Sequence, residues 1–369
     1  MAKKRRNRKV AAANPQRRAP SQRQLDKLDR EILELVNRRA ELTIARAQMA
    51  NSGPKSELAA EVEKLDSLLE FNEGPLKDES VRAVFREVIS GSHAVGHAPR
   101  VAYLGPQYTY SHLAALQRFG QSADLVPVGT IASVFEEVER GQADFGIVPI
   151  ENSTDGRVTD ALECLARSPV KICGNVQLRI RHYLWGTGPR KEVQRVYSKP
   201  QALSQCRNWL GKHLPGAQPV GVASTAEAAQ KAAKEPHAAA IASQQAGVDH
   251  ALAVLARHIE DNPDNVTRFA VIGTQGGPRT GNDKSALVFE ISHQPGALAD
   301  AMGIFKRQKL NMTWIESFPM RGHRGRYLFF VEFQGHASEL RARRALASLE
   351  KKCLRLTVLG SYAQTEPIG

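Results

Sequence analysis

Two Gly-Pro pairs and one change of periodicity govern how this chain can fold. Gly53-Pro54 and Gly74-Pro75 follow Asn51-Ser52 and Asn72-Glu73. Neither stretch can continue a helix, because proline lacks the N–H and clashes with the preceding turn. They separate three segments of helical spacing. The first, Arg23 to Ala50, repeats Leu25, Leu28, Ile32, Leu35 and Leu42, with Arg39 on the same stripe. The second covers Lys55 to Glu70, and the third covers Lys77 to Ile89 with Val81, Val84, Phe85 and Val88. Gly91 to Pro99 reads as a linker. From Arg100 short apolar runs, Val101-Ala102-Tyr103-Leu104 and Phe145-Gly146-Ile147-Val148, alternate with amphipathic stretches. That pattern predicts an α/β region with mostly parallel sheets, continuing to Gly273. A polar hinge, Gly276 to Asn282, leads into the order βαββαβ: Ser285–Ile291, Ala297–Lys309, Met312–Phe318, Tyr327–Phe333, Ala337–Lys351 and Leu354–Leu359. This is the ferredoxin-like plan.

Length and composition fit this multidomain reading. A chain of 369 residues exceeds one ordinary core, and 42% hydrophobic with 24% charged residues is a soluble globular balance. The predicted parts are a disordered basic tail (1–22), an all-α domain (23–97), an α/β domain (98–275) and an α+β ferredoxin-like domain (284–362). The net charge of +13 raises nucleic acid as a partner, but eight of those charges lie in the first 18 residues. Removing them leaves +5 over the remaining 351 residues, so nucleic-acid binding is not expected to define the function. No apolar run is long enough to span a membrane, and the basic N-terminus lacks a secretory apolar core. Cys164, Cys173, Cys206 and Cys353 have no CxxC spacing, which fits a reducing cytoplasm and no structural metal.

Three stretches of the α/β region put polar residues where a strand meets a helix: Leu104 to His112, Val148 to Gly156, and Ala223 to Ala228. Helix N-termini carry free N–H groups and partial positive charge, so their convergence on one cleft would suit an anion. The same residues are equally those of ordinary caps. No metal set, Ser-His-Asp order or phosphate loop stands out. Residue chemistry by itself ends at an anion-binding region with an unassigned reaction.

From Val101 to Gly273 the chain resembles the prephenate dehydratase family, carried by stretches in family order. These are Gly105-Pro106 with Ser111-His112-Leu113-Ala114-Ala115, then Val148-Pro149-Ile150-Glu151-Asn152-Ser153, then Ser198-Lys199-Pro200-Gln201-Ala202-Leu203. Ser224-Thr225-Ala226, Ala240-Ile241-Ala242-Ser243 and Thr267-Arg268-Phe269 complete the series. Lys199 departs from the family's histidine and loses a group that titrates near neutrality. The resemblance implies a bilobed, periplasmic-binding-protein-like fold that converts prephenate to phenylpyruvate in its cleft, without metal or cofactor. It points to Thr267 as the residue assisting departure of the ring hydroxyl. Arg268 is either a bidentate carboxylate partner or an ion pair. Thr109, Ser111, Glu151, Asn152, Ser153, Gln201, Ser224, Thr225 and Phe269 are the implied substrate-binding residues.

The C-terminal segment resembles an ACT domain, which implies L-phenylalanine as an inhibitor. Gly296, Ala297, Leu298, Asn311, Glu316 and Ser317 are the implied effector residues, and Phe318 stands where the family has arginine. The helices resemble a chorismate mutase domain in which Arg39 remains as a substrate-site arginine. Gln22, Ala50, Lys64-Leu65 and Gly96 replace other functional positions, so the expectation is a degenerate mutase serving dimerisation, in a homodimer or homotetramer. Full bifunctionality, arogenate as the substrate, and a non-catalytic amino-acid sensor are the competing readings.

Overall fold

The computed structural model describes residues 21–49, 65, 68–154, 156–319 and 326–368. The expected basic tail lies outside these residues, except for Ser21 and Gln22, and so does nearly all of the expected second helix. Helix α1 spans Gln22–Met49 and α2 spans Asp78–His97. The linker expected from Gly91 is therefore helical. Ile89, Ser90, Ser92 and His93 are buried on α2, and this packing outweighs the roughly 1 kcal/mol that a helical glycine costs. Leu65 is buried in a cluster with Ile89, Tyr103 and Phe119, a core role for a residue in the mutase-like segment.

The first lobe contains β1 (Arg100–Leu104), α3 (Tyr110–Phe119), β2 (Asp124–Val128), α4 (Ile131–Glu139), β3 (Phe145–Asn152), β4 (Gly156–Arg157), α5 (Thr159–Arg167) and β5 (Lys171–Arg179). The chain then crosses to a second lobe. Its elements are β6 (Tyr183–Gly186), β7 (Arg195–Ser198), α6 (Pro200–Gln205), α7 (Arg207–His213), β8 (Gln218–Gly221), α8 (Thr225–Lys234), β9 (Ala238–Ala242), α9 (Gln244–Asp249) and β10 (Ala253–Arg257). Strand β11 (Val266–Gly273) returns to the first sheet, whose order is β2-β1-β3-β11-β5; the second is β10-β6-β9-β7-β8. Both sheets are mixed, which corrects the expectation of mostly parallel ones. β1 is parallel to β2 and β3, but β11 is antiparallel to both β3 and β5. The reason is the double crossing, because a strand that comes back from the other lobe enters from the opposite end. The two crossing segments lie side by side, joined by Ile180 N–H to Asn265 O (2.8 Å) and Ile259 N–H to His182 O (3.0 Å).

The last part follows the expected order: β12 (Asp283–Glu290), α10 (Ala297–Arg307), β13 (Met312–Pro319), β14 (Tyr327–Gln334), α11 (Leu340–Glu350) and β15 (Arg355–Ala363). Its antiparallel sheet runs β13-β14-β12-β15. One face packs on α10 and α11 through Leu287, Phe289, Phe305, Phe333 and Leu349. The other shares a continuous core with the first lobe, in which Val288, Phe318 and Phe330 meet Val148, Ile150, Leu162 and Ile272. At Gly360 (φ 151°) a Cβ would lie 2.1 Å from Ile172 O, so only glycine admits this approach of β15 to β5.

A buried ionic cluster crosses the same boundary. Glu332 on β14 accepts from Arg268 on β11 (2.5 Å), Lys284 on β12 (2.7 Å), Thr313 (2.6 Å) and Tyr362 (2.6 Å). Arg268 also reaches Glu151 at 2.8 Å and stacks over Trp314, 5.3 Å from its ring centre. Burial by itself would raise the Glu332 carboxyl, but Arg268, Lys284, Thr313 and Tyr362 prevail and bring it from 4.5 down to about 2. A carboxyl depressed on folding contributes stability that is complete above pH 4.5 and is lost as pH falls towards 2. Thermal unfolding should therefore show a midpoint that drops between pH 5 and pH 3, and Glu332→Gln should flatten that drop.

Candidate active site

Between the lobes lies a cleft of about 940 Å³, within the range of small-molecule sites. Its walls follow from where helices begin. Thr109 caps α3, accepting from His112 N–H at 3.5 Å, and so brings Thr109, Tyr110 and Ser111 to the first lobe's rim. Opposite, Ser224 caps α8 by accepting from Glu227 N–H (3.0 Å), while the Glu227 carboxylate accepts from Ala223 N–H (3.0 Å). These two bonds fix Ser224 and Thr225 at the second lobe's rim. Two helix N-termini thus converge on one space, an arrangement suited to carboxylates.

Thr267 sits on the cleft floor, one residue into β11 and just past the second crossing; it is 9% exposed. Asn152, at the end of β3 beside it, donates from Nδ2 to Thr267 Oγ1 at 2.7 Å. Thr154 N–H donates to Asn152 Oδ1 at 2.9 Å, which fixes the amide's orientation. With its oxygen accepting from Asn152, the Thr267 hydroxyl keeps its proton available to donate to a ligand.

Thr109, Ser111, Asn152, Gln201, Ser224, Thr225, Thr267 and Phe269 line this one cleft. Arg268, Glu151 and Ser153 do not. Side chains alternate along a strand, so Thr267 and Phe269 facing the cleft puts Arg268 on the far face, where it joins Glu151 and Glu332. The carboxylate role expected for Arg268 is corrected accordingly. Ser153 instead accepts from Val266 N–H at 2.9 Å and ties β3 to the start of β11.

Sequence reasoning passed over three cleft residues. His182, 1% exposed in the first crossing, bonds Gln205 through Nε2 at 3.0 Å. Burial pushes it below the usual imidazole range against the pull of Gln205 and Glu260, leaving it neutral near pH 7. Tyr110 donates its hydroxyl to Arg181 O at 2.7 Å. Arg157, on the two-residue strand β4, lines the cleft from the first lobe. No periodicity marks any of them. The only sequence signal is the position of His182 and Arg157 just beyond apolar strands.

The implied effector residues do not gather at one point in this chain. Gly296, at a φ of 84° open chiefly to glycine, precedes Ala297 and Leu298 at the start of α10. Asn311 follows the other end of that 11-residue helix, about 16 Å away at 1.5 Å per residue. Glu316 and Ser317 lie on edge strand β13 beside Arg157. Phe318 is buried in the core shared with the first lobe, so a side chain there points away from solvent. Arg39 donates to Ser92 Oγ at 2.9 Å, while Ala50 and Lys64 lie outside the described residues. Among the described residues no helix is long and apolar enough to cross a membrane.

The prephenate dehydratase family profile matches residues 101–276, and the chorismate mutase type II profile matches residues 22–97. The bifunctional chorismate mutase/prephenate dehydratase of Stutzerimonas stutzeri is 39% identical over 348 residues, 92% of this chain and 95% of its own. That of Aquifex aeolicus is 40% identical over 347 residues, 92% of this chain and 96% of its own. The crystal structure of a prephenate dehydratase from Arthrobacter aurescens in complex with L-Phe matches with a TM-score of 0.68 at 34% identity, over 72% of this chain and 90% of that one. By these matches, running in one order from the helices through both lobes, the chain belongs to the prephenate dehydratase family, in the branch that joins a chorismate-mutase-type helical segment to the dehydratase.

Proposed function

We propose that the cleft binds prephenate and converts it to phenylpyruvate, carbon dioxide and water, and the observation that carries this is the Asn152–Thr267 pair. The C–C bond to the ring carboxylate breaks, its electrons complete the aromatic ring, and the C–O bond to the ring hydroxyl breaks with its electrons on oxygen. The departing hydroxide needs one proton. The Thr267 hydroxyl, its oxygen engaged by Asn152, is aimed to donate a hydrogen bond there and to pass on a proton that solvent replaces. Threonine is too weak an acid to hold that role by pKa, so orientation is its contribution. The N-termini of α3 and α8 supply fixed donors for the two carboxylates.

The C-terminal sheet is read as an ACT-type regulatory domain responding to L-phenylalanine, and four scattered cysteines without CxxC spacing suit a cytoplasmic enzyme. Leu25, Leu28, Ile32, Leu35 and Leu42 on α1 are each at least 49% exposed. A second copy of the chain is the partner that would cover this stripe, which supports a homodimer or a multiple of it. A small pocket of about 290 Å³ between α1, α2 and the first sheet is lined by Thr43, Gln48, Ser92, His93 and His97 but by no Lys or Arg among the described residues. Arg39, the arginine carried over from the mutase resemblance, is not among its lining residues, and the degenerate mutase is kept as the reading on the replaced positions Ala50, Lys64-Leu65 and Gly96. Purified protein offered prephenate, arogenate and chorismate separately, with no metal added, should form phenylpyruvate fastest from prephenate and consume chorismate slowly. Unchanged prephenate would remove the enzyme reading, and rapid prephenate formation would restore the mutase.

A further inference from the structure

We propose that Tyr108 clasps the two lobes together beside the cleft and is a positioning residue for the reaction there. The inference rests on the dehydratase reading and adds to it a residue that acts without touching substrate, since Tyr108 does not line the cleft. Tyr108 lies in the first lobe, in the turn between β1 and α3, one residue before the cap Thr109. Its side chain is held by the second lobe. The hydroxyl donates to Asp249 Oδ1, at the end of α9, at 2.6 Å. The Tyr108 carbonyl accepts from Ser243 Oγ, at the start of the same helix, at 3.0 Å. Between these two bonds the side chain packs on a second-lobe core that contains Tyr183, Trp185, Ala246 and Leu252. On its own lobe the Tyr108 N–H donates to Nδ1 of buried His112 at 3.2 Å.

The backbone sharpens the point. Tyr108 has a φ of 66°, in the left-handed region that penalises a bulky residue and favours glycine. Glycine would make this turn without strain, but it could not reach Asp249. A tyrosine in that conformation is kept by the contacts it makes, and the hydrogen bonds of its hydroxyl and carbonyl lie on the other lobe. Thr109 and the N-terminus of α3 follow directly, so the clasp sets how far this anion-binding end stands from the facing N-terminus of α8. Substrate spans that separation. With the clasp broken, the closed arrangement is less populated before binding, and apparent affinity falls by the same factor. Opening after the reaction becomes easier, so kcat does not fall with it.

Steady-state kinetics on prephenate and amide hydrogen exchange, both on the full chain, test this. Tyr108→Phe keeps the ring and deletes the hydroxyl; KM should rise about fivefold while kcat stays at or above the parent's. Asp249→Ala should give the same rise, and it should add nothing in the Tyr108→Phe background, where the bond is already gone. Tyr108→Asn places a residue at ease in the left-handed region but too short to reach α9, and should raise KM about tenfold or more. Without substrate, exchange at residues 109–111 and 224–227 should quicken about fivefold in each variant, while exchange at residues 267–269 on the floor stays as in the parent. A Tyr108→Phe protein whose exchange at both rims stays within about twofold of the parent overturns the proposal, as does an Asp249→Ala effect of equal size in both backgrounds. An inactive parent enzyme would sink the dehydratase reading alone, and exchange would still decide whether the clasp holds the lobes.

Discussion

Thr267→Ala is expected to lower kcat for prephenate by about 10³-fold, within the range lost when one positioned proton donor is removed. The substitution deletes the hydroxyl that Asn152 orients but leaves both helix N-termini in place, so KM should change far less than kcat. It also removes the 2.7 Å bond that Asn152 Nδ2 makes to the hydroxyl, which should cost about 1 kcal/mol of stability. Thr267→Ser keeps the hydroxyl and should stay within about tenfold of the parent, since the oxygen still reaches Asn152. Single-turnover and steady-state rates on prephenate check both variants. A Thr267→Ala enzyme with near-parental kcat would take Thr267 out of the reaction.

The second large effect concerns Arg268, where sequence and structure part. Arg268→Met should destabilise the fold by about 3–5 kcal/mol, because it leaves the fully buried Glu332 with Lys284 as its remaining cation. Methionine fills the stem's volume but returns none of the charge, and Glu151 loses its partner at the same time. Urea or thermal unfolding should report the loss. At a temperature where the variant stays folded, its KM for prephenate should remain within threefold of the parent. A tenfold rise in KM without loss of stability would return the guanidinium to the cleft.

That divergence shows what was legible. The helical stripe of α1, the switch of period at Arg100 and the βαββαβ order could be read because each depends on local spacing. The cleft's polar rim was legible for the same reason, since Ser224 and Glu227 announce a helix start wherever they occur three residues apart. The mixed sheets were not, because β11 pairs with β3 and β5 over separations of about a hundred residues and no local pattern records its direction. The choice left open at Arg268 was decidable from strand geometry: neighbours on a strand face opposite ways, so Thr267 and Arg268 could not both serve one cleft, which leaves the ion pair. Helix α2 outran its expected end because burial of Ser92 and His93 overrode two glycines. Arg157 had no such local signature, since its meaning comes from a partner 159 residues away.

The side-by-side crossings between the lobes have a kinetic corollary. A point next to a rotation axis travels least, and Thr267 begins one residue beyond such a crossing, while Asn152 belongs to the same sheet. Were the lobes to open about these crossings, the Asn152–Thr267 pair would stay assembled and each new cycle would start from a ready reaction centre. Only the distant lip would have to be regained on closing, so restraining that lip would slow turnover without disturbing the pair beneath it.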